Sequence, residues 1–353
     1  MSIPTLPGIT ARTVTTPRLS TRVLYSGADD GQVVLFIHGN ASSATFWEET
    51  MLALPAGYRG IAYDMRGYGD ADRTKKIDAT RGMGDWSDDA FALLDALSIR
   101  QAHVVGHSLG GAVIFQMLID APERILSATL VNPGSPFGFG GTKDVDGTPN
   151  YPDFAGSGGG IVNPEFPKRM AAGDRSMDNP LSAPRNVMNS FYWKPPFVPS
   201  REEDLLSSLL SEHVGEQEYP GDMVPSPNWP NVAPGVYGPI NAASPKYAGD
   251  VSRLYRAAPK PRVLWVRGSH DQIVSDNSLF DLGTLGQLGA VPGWPGADVF
   301  PPQPMVSQTR SVLDKYAAAG GAYQEVVIED TGHTPFIEKP AEFNAVFHRH
   351  LQG

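Results

Sequence analysis

Ser108 lies in Gly106-His107-Ser108-Leu109-Gly110, a G-x-S-x-G pattern that places a hydroxyl nucleophile on a sharp turn. A short apolar run at 102–105 leads into it, and a helix-like stretch at 112–119 follows directly. Gly106 and Gly110 let a strand and a helix approach closely, which leaves the serine on a strained, outward-facing turn. A serine hydroxyl is a poor nucleophile near neutral pH. It needs a base, most often histidine, and that histidine needs an acid to hold its tautomer and orientation.

Of eight histidines, His333 is the candidate base. It sits in Asp330-Thr331-Gly332-His333-Thr334-Pro335, between an apolar run at 323–328 and a helical pattern at 340–351. Loops at the carboxyl edge of a parallel sheet are where catalytic groups collect. His103 falls within a buried-strand pattern, and His348 and His350 are two apart, so they share no helix face. His213 lies in a segment rich in proline and glycine, while His107 and His270 adjoin better-placed candidates. The candidate acid is Asp271, in Gly268-Ser269-His270-Asp271-Gln272, just past the run 262–266. Acyl transfer also builds charge on a carbonyl oxygen, which fixed N–H donors stabilise. The backbone N–H of Leu109 is one candidate donor. The other is Asn40, in the His38-Gly39-Asn40 turn after the run 33–37.

These positions imply a scaffold. Apolar runs at 33–37, 60–63, 102–105, 126–131, 262–266 and 323–328 read as strands buried on both faces. Between them lie amphipathic stretches such as 86–97, where Trp86, Ala90, Leu93, Leu94 and Leu97 share a face, and helix-like 306–319. The reading is an α/β chain with a mostly parallel central sheet flanked by helices. The rhythm breaks at 133–258, which holds 18 of the 32 prolines and one clear helical pattern, 202–214. Its aromatic residues argue for a packed layer rather than a tether. The expected division is a core from 1–132 and 259–353 with a cap inserted at 133–258. A second irregular stretch occupies 275–304.

Composition narrows the function. With 353 residues, 41% apolar and 19% charged, the chain can bury a large core. A net charge of −10 argues against nucleic acid or an anionic membrane as partner. The absence of cysteine excludes disulfides, thiolate metal sites and cysteine nucleophiles. The sequence shows no secretory signal pattern and no apolar run of membrane-spanning length, so the expected location is the cytoplasm. No cofactor or metal is called for, and oligomeric state is not readable.

Together these motifs resemble the α/β-hydrolase superfamily, across most of 20–132 and 259–353. The resemblance rests on the His38-Gly39-Asn40 turn, Asp64-Met65-Arg66-Gly67, the Ser108 turn, the Asp271 turn and Thr331-Gly332-His333, with Ser, Asp and His in that order. It implies a Ser108–His333–Asp271 triad and an Asn40/Leu109 oxyanion hole. It also implies that Asp64-Met65-Arg66-Gly67 serves structure rather than chemistry. The His-Gly-Asn turn followed by Phe46-Trp47 is also similar to the epoxide hydrolase and haloalkane dehalogenase branch. That branch attacks with aspartate, whereas serine here points to esters, lactones or thioesters. The expected activity is cleavage of a small-molecule carboxylic ester through an acyl-enzyme. A lactonase, a carbon–carbon bond hydrolase, a cofactor-free perhydrolase and a non-catalytic ligand-binding protein remain alternatives. His107, Trp47, Phe191, Trp193 and Trp229 are the expected pocket residues, with the insertion's aromatics forming a lid.

Overall fold

Alternate residues of a strand face opposite sides of a sheet, and the central strands here are apolar on both. In Gln32–Ile37, Leu35 and Ile37 pack into one core while Val34 and Phe36 pack into the other. The computed structural model of the chain describes residues 3–353. Its first part runs β1 (Thr10–Thr15), β2 (Ser20–Gly27), β3 (Gln32–Ile37), α1 (Glu48–Leu52), β4 (Tyr58–Tyr63), α2 (Gly84–Ala96), β5 (Ala102–His107), α3 (Leu109–Asp120) and β6 (Ile125–Val131). The insertion follows with β7 (Thr142–Lys143), β8 (Thr148–Pro149), α4 (Glu165–Ala171), α5 (Pro184–Phe191), α6 (Glu202–Leu209), β9 (Met223–Pro225), β10 (Val232–Pro234), α7 (Pro239–Ala242) and α8 (Ser252–Arg256). The core resumes with β11 (Arg262–Gly268), α9 (Leu282–Gln287), α10 (Met305–Ala318), β12 (Tyr323–Ile328), α11 (Pro335–Glu338) and α12 (Pro340–Gln352).

This is the α/β-hydrolase fold: eight strands in the order β1-β2-β4-β3-β5-β6-β11-β12, parallel from β4 to β12. β1 and β2 pair antiparallel at one end. The chain steps from β3 to β4 in one direction, then returns to lay β5 on the other side of β3. That reversal is a topological switch point, where a crevice opens at the strands' carboxyl ends. Gly39-Asn40 leaves β3 there and Ser108 leaves β5, so the crevice receives two of the expected site elements.

Helices cover both faces. Trp86, Leu93 and Leu94 of α2, most of α3, and Val312, Leu313 and Tyr316 of α10 fill one core. Trp47, Met51 and the α12 stripe Phe343, Phe347 and Leu351 fill the other. The insertion adds no strand to the large sheet. Its α5 and α6 contribute Val187, Met188, Leu205 and Leu206 to the second core, and Ala242 and Leu254 of α7 and α8 join the first. The insertion therefore straddles the sheet's carboxyl edge. Asp64 and Arg66 have structural duties. Asp64 accepts the Ala44 and Asp70 N–H groups at 3.0 Å each, and Arg66 grips buried Asp89 with two 2.8 Å bonds. Among the described residues, no helix is long and apolar enough to cross a membrane.

Candidate active site

Ser108 occupies the junction of β5 and α3 with φ +54° and ψ −115°. A left-handed serine is uncommon and strained, and the surroundings enforce it. A Cβ added at Gly106 would meet the Gly110 carbonyl oxygen at 2.3 Å, and one added at Gly110 would meet the Ile37 carbonyl oxygen at 2.3 Å. Only glycine allows strand and helix to pass so closely. The Ser108 N–H donates to Val131 O at 2.9 Å, and Gly134 N–H donates to Ser108 O at 3.0 Å, so the turn is fastened to β6 and the loop beyond it.

His333 follows β12 and is buried, as is Asp271 after β11. His333 Nδ1 donates to Asp271 Oδ2 at 2.8 Å. With the proton on Nδ1, the neutral ring leaves Nε2 free as a base. The other Asp271 oxygen accepts the N–H groups of Ile273 at 2.8 Å and Val274 at 3.0 Å. Asp271 Oδ2 also accepts from the Asn132 side-chain amide. Asn132 directly follows β6 with φ +43°, and its N–H donates to Val266 O at 2.9 Å, so it reaches across from the neighbouring strand. His107 is buried, and desolvation holds its ring well below the usual imidazole pKa. Its Nε2–H donates to the His333 carbonyl at 2.8 Å. Among the described residues, no hydrogen bond joins Ser108 Oγ to His333; both open onto one cavity.

The turn after β3 is equally constrained. Met65 N–H donates to His38 Nε2 at 3.0 Å, which leaves the proton on Nδ1 to bind Gly39 O at 2.8 Å. Burial lowers that ring to a pKa of about 4, so it stays neutral. Ser42 Oγ donates to the same carbonyl at 2.8 Å. Tyr68 hydroxyl donates to Asn40 Oδ1 at 2.8 Å, and Tyr192 hydroxyl, from the insertion, donates to Ala41 O at 2.8 Å. A Cβ at Gly39 would lie 3.1 Å from Ser108 Cβ, so the turn presses against Ser108. Neither Asn40 N–H nor Leu109 N–H donates to any group among the described residues. Behind the turn, buried Glu212 lies near Ala41 N–H and Tyr68, and neither of its carboxyl oxygens has a hydrogen-bond partner among the described residues. Desolvation holds its carboxyl well above the usual range.

The cavity measures about 570 Å³ and is lined by Ser108, His333, Asn40, Leu109 and a largely apolar wall. His107 and Phe191 line it as expected from sequence; Trp47, Trp193 and Trp229 do not. Trp47 is fully buried and stacks on Phe336 at 4.2 Å, inside the second core. Trp193 is fully buried between Tyr192 and Phe197. Trp229 packs on Phe300 at 5.0 Å and donates its indole N–H to Pro292 O at 3.0 Å, joining the two irregular stretches. A bulky aromatic beside a motif satisfies core packing as readily as pocket lining. Asn132 was missed in sequence, although an asparagine ending an apolar strand at the carboxyl edge was a usable signal.

A family profile described as the alpha/beta hydrolase fold matches residues 32–285. Among named relatives, "Putative carbamate hydrolase RutD" of Variovorax paradoxus is 42% identical over 107 residues, 30% of this chain and 40% of that protein. "Non-heme chloroperoxidase" of Streptomyces lividans is 37% identical over 141 residues, 39% of this chain and 50% of that protein. The alignments thus span half or less of those relatives' lengths. A serine hydrolase from Cycloclasticus zankles superposes with a TM-score of 0.62 at 18% identity, covering 98% of this chain and 99% of that one; at that identity the likeness concerns the fold.

Proposed function

The chain belongs to the α/β-hydrolase fold family, and from that premise we propose that it is a serine hydrolase cleaving carboxylic esters of small molecules through an acyl-enzyme. One observation carries the reading: Ser108 and the Asp271-bound His333 open onto the same cavity, beside the uncommitted N–H groups of Asn40 and Leu109. A substrate ester occupies that cavity with its carbonyl carbon at Ser108. The serine hydroxyl turns toward His333 Nε2, since such bonds tighten only with substrate in place. Oγ adds to the carbonyl carbon as His333 takes its proton. Asn40 and Leu109 N–H donate to the oxyanion, and Asp271 steadies the imidazolium. The intermediate collapses, the alkoxide leaves with the proton from His333, and the acyl group stays on Ser108. Water, deprotonated by His333, then releases the acid. No metal or redox group enters this scheme.

The test is covalent. A fluorophosphonate should label the chain once, with peptide mapping placing the adduct on Ser108, and should abolish release of nitrophenol from nitrophenyl esters. An unlabelled Ser108 in protein that still hydrolyses the ester removes the assignment. The relative named a non-heme chloroperoxidase supports a second reading, in which hydrogen peroxide replaces water and the acyl-enzyme yields a peracid. Peracid formation from peroxide and free carboxylic acid, lost with Ser108→Ala, would distinguish it.

A further inference from the structure

The cavity does more than surround the nucleophile. Its lining includes one face of α3, where Ala112, Phe115, Gln116 and Ile119 recur at spacings of three and four residues, the signature of one helical face. Val251 and Leu254, at the start of α8 and within it, line the same cavity, and both pack against the core that α3 fills. Small side chains, Ala112, Ala243 and Ala248, are part of the same lining. Gln116 is the polar residue of the α3 stripe, and its amide is engaged outside it, donating to Asp120 Oδ1 at 2.7 Å. Polar groups mark the far end. Past Ile119, Asp120 accepts from Ser87 Oγ at 2.8 Å and lies 3.9 Å from Arg253 of α8. None of the residues lining the cavity is Asp, Glu, Lys or Arg.

We infer that the side of the cavity along α3 is a channel for an unbranched, uncharged hydrocarbon chain, and that the substrate is a neutral ester carrying such a chain of about ten carbons. The length follows from the helix. Ser108 to Ile119 is eleven residues, about 16 Å of rise; with about 4 Å taken by the serine side chain at one end and the terminal methyl's radius at the other, the remaining length of roughly 12 Å holds an extended chain of about ten carbons at about 1.25 Å per carbon. The chemistry follows from the lining. A methylene chain gains by leaving water for an apolar wall. A charge carried short of the far end, among the lining residues, would meet no counter-ion and would pay heavily for desolvation. The inference rests on the serine hydrolase reading for the word ester, but the channel itself can be tested without turnover.

Calorimetric titration of Ser108→Ala with primary alcohols of four to fourteen carbons is the first arm. Affinity should rise about fourfold per added carbon and level off near ten to twelve. A terminal carboxylate on a chain of about five carbons, which ends among the uncharged lining residues, should weaken binding at least tenfold. Adding Gln116→Trp, about 12 Å along the helix, should bring the plateau forward to about seven carbons. Adding Ile119→Trp should alter only the longest chains. The second arm measures kcat/KM over two ester series, one varying the acyl chain and one the alcohol. The decanoyl-to-acetyl ratio, or its alcohol counterpart, should fall at least tenfold in Gln116→Trp. Affinity independent of chain length, or a ratio unchanged in both series, overturns the channel even if the enzyme hydrolyses acetates. Chain-length-dependent binding with no labelling of Ser108 and no ester cleavage leaves the channel standing and removes the hydrolase reading instead.

Discussion

Two surfaces face each other across the cavity, and they are built by opposite means. The floor, made of strand ends, is fixed by direction. Asp271 is held by Asn132 and two backbone N–H groups, His333 by Asp271 and by His107, and the Gly39–Asn40 turn by His38, Ser42 and Tyr68. The roof, formed by the insertion, is fixed by volume. Phe166, Val187 and Phe191 face the cavity without polar business there. Hydrogen bonds to charged groups fail all at once when a partner is removed, whereas apolar packing fails by degrees. The floor should therefore govern rate, and the roof selectivity and stability.

The largest separation is expected at the nucleophile. Ser108→Ala should lower kcat on a nitrophenyl ester by at least about a thousandfold. Its melting temperature should stay within a few degrees of wild type or rise, since alanine removes no core contact and the strained backbone remains. Turnover within tenfold of wild type would take Ser108 out of the chemistry. Asn132→Ala comes next. It removes the amide's hydrogen bond to the Asp271 carboxylate, a class of bond worth about 1.5–3 kcal/mol. We expect kcat to fall by about ten- to a hundredfold with KM nearly unchanged. An effect confined to KM would show that Asn132 shapes the pocket rather than aligning Asp271.

A matched pair on the roof sharpens the contrast. Trp193 is fully buried and faces no cavity, while Phe191, two residues earlier, lines it. Trp193→Ala should cost about 3–5 kcal/mol of stability, with a clear drop in melting temperature and similar losses on small and bulky esters. Phe191→Ala should lower the melting temperature less and change kcat/KM for bulky esters more than for acetates. The same profile for both variants would mean that the insertion acts only as scaffold.

The same contrast explains what could be read from sequence. Strands β3, β5, β6 and β11 were legible because burial on both faces writes continuous apolar runs; β12, at the sheet edge, is mostly half-buried and carries Gln324 and Glu325, yet its Val326-Val327-Ile328 end still marks it. β1 was not: most of Thr10–Thr15 is exposed and its side chains obey no alternation. In the insertion, α4 carries Pro167 within its span and α5 begins at Pro184, so proline hid helices that tertiary packing supports. The pattern at 202–214 continues past the end of α6 at Leu209, because His213 N–H is drawn to Gly67 O of the core at 2.9 Å. Ser108, Asp271 and His333 stood out because their neighbours are constrained in type. Pocket aromatics did not, because nothing in the spacing of Phe191 and Trp193 says which ring meets the cavity and which the core.

The smallest expected effect lies where floor and roof are tied. Glu338 accepts Gly332 N–H, beside His333, at 2.8 Å, and Lys194 N–H, from the insertion, at 2.8 Å. Burial pushes its carboxyl up from 4.5 to about 7, and the nearby Asp271 charge adds to the shift. Between those values the folded chain retains a proton that the unfolded chain has released. The stability this proton confers is complete below pH about 4.5, declines as pH rises, and is lost above about 7. Glu338→Gln cannot titrate there and keeps a single acceptor for two N–H donors, so it should melt lower than wild type. Its deficit should also shrink as pH rises from 5 to 8, because only wild type loses stability through this group. Melting curves of the two proteins in matched buffers measure that difference directly, with all other titrating groups common to both. A deficit constant to within about 1 °C across the range, where 1 kcal/mol shifts a chain of 353 residues by about 1–2 °C, would show that Glu338 has an ordinary carboxylate pKa. The tie between the His333 turn and the insertion would then be a charged one throughout.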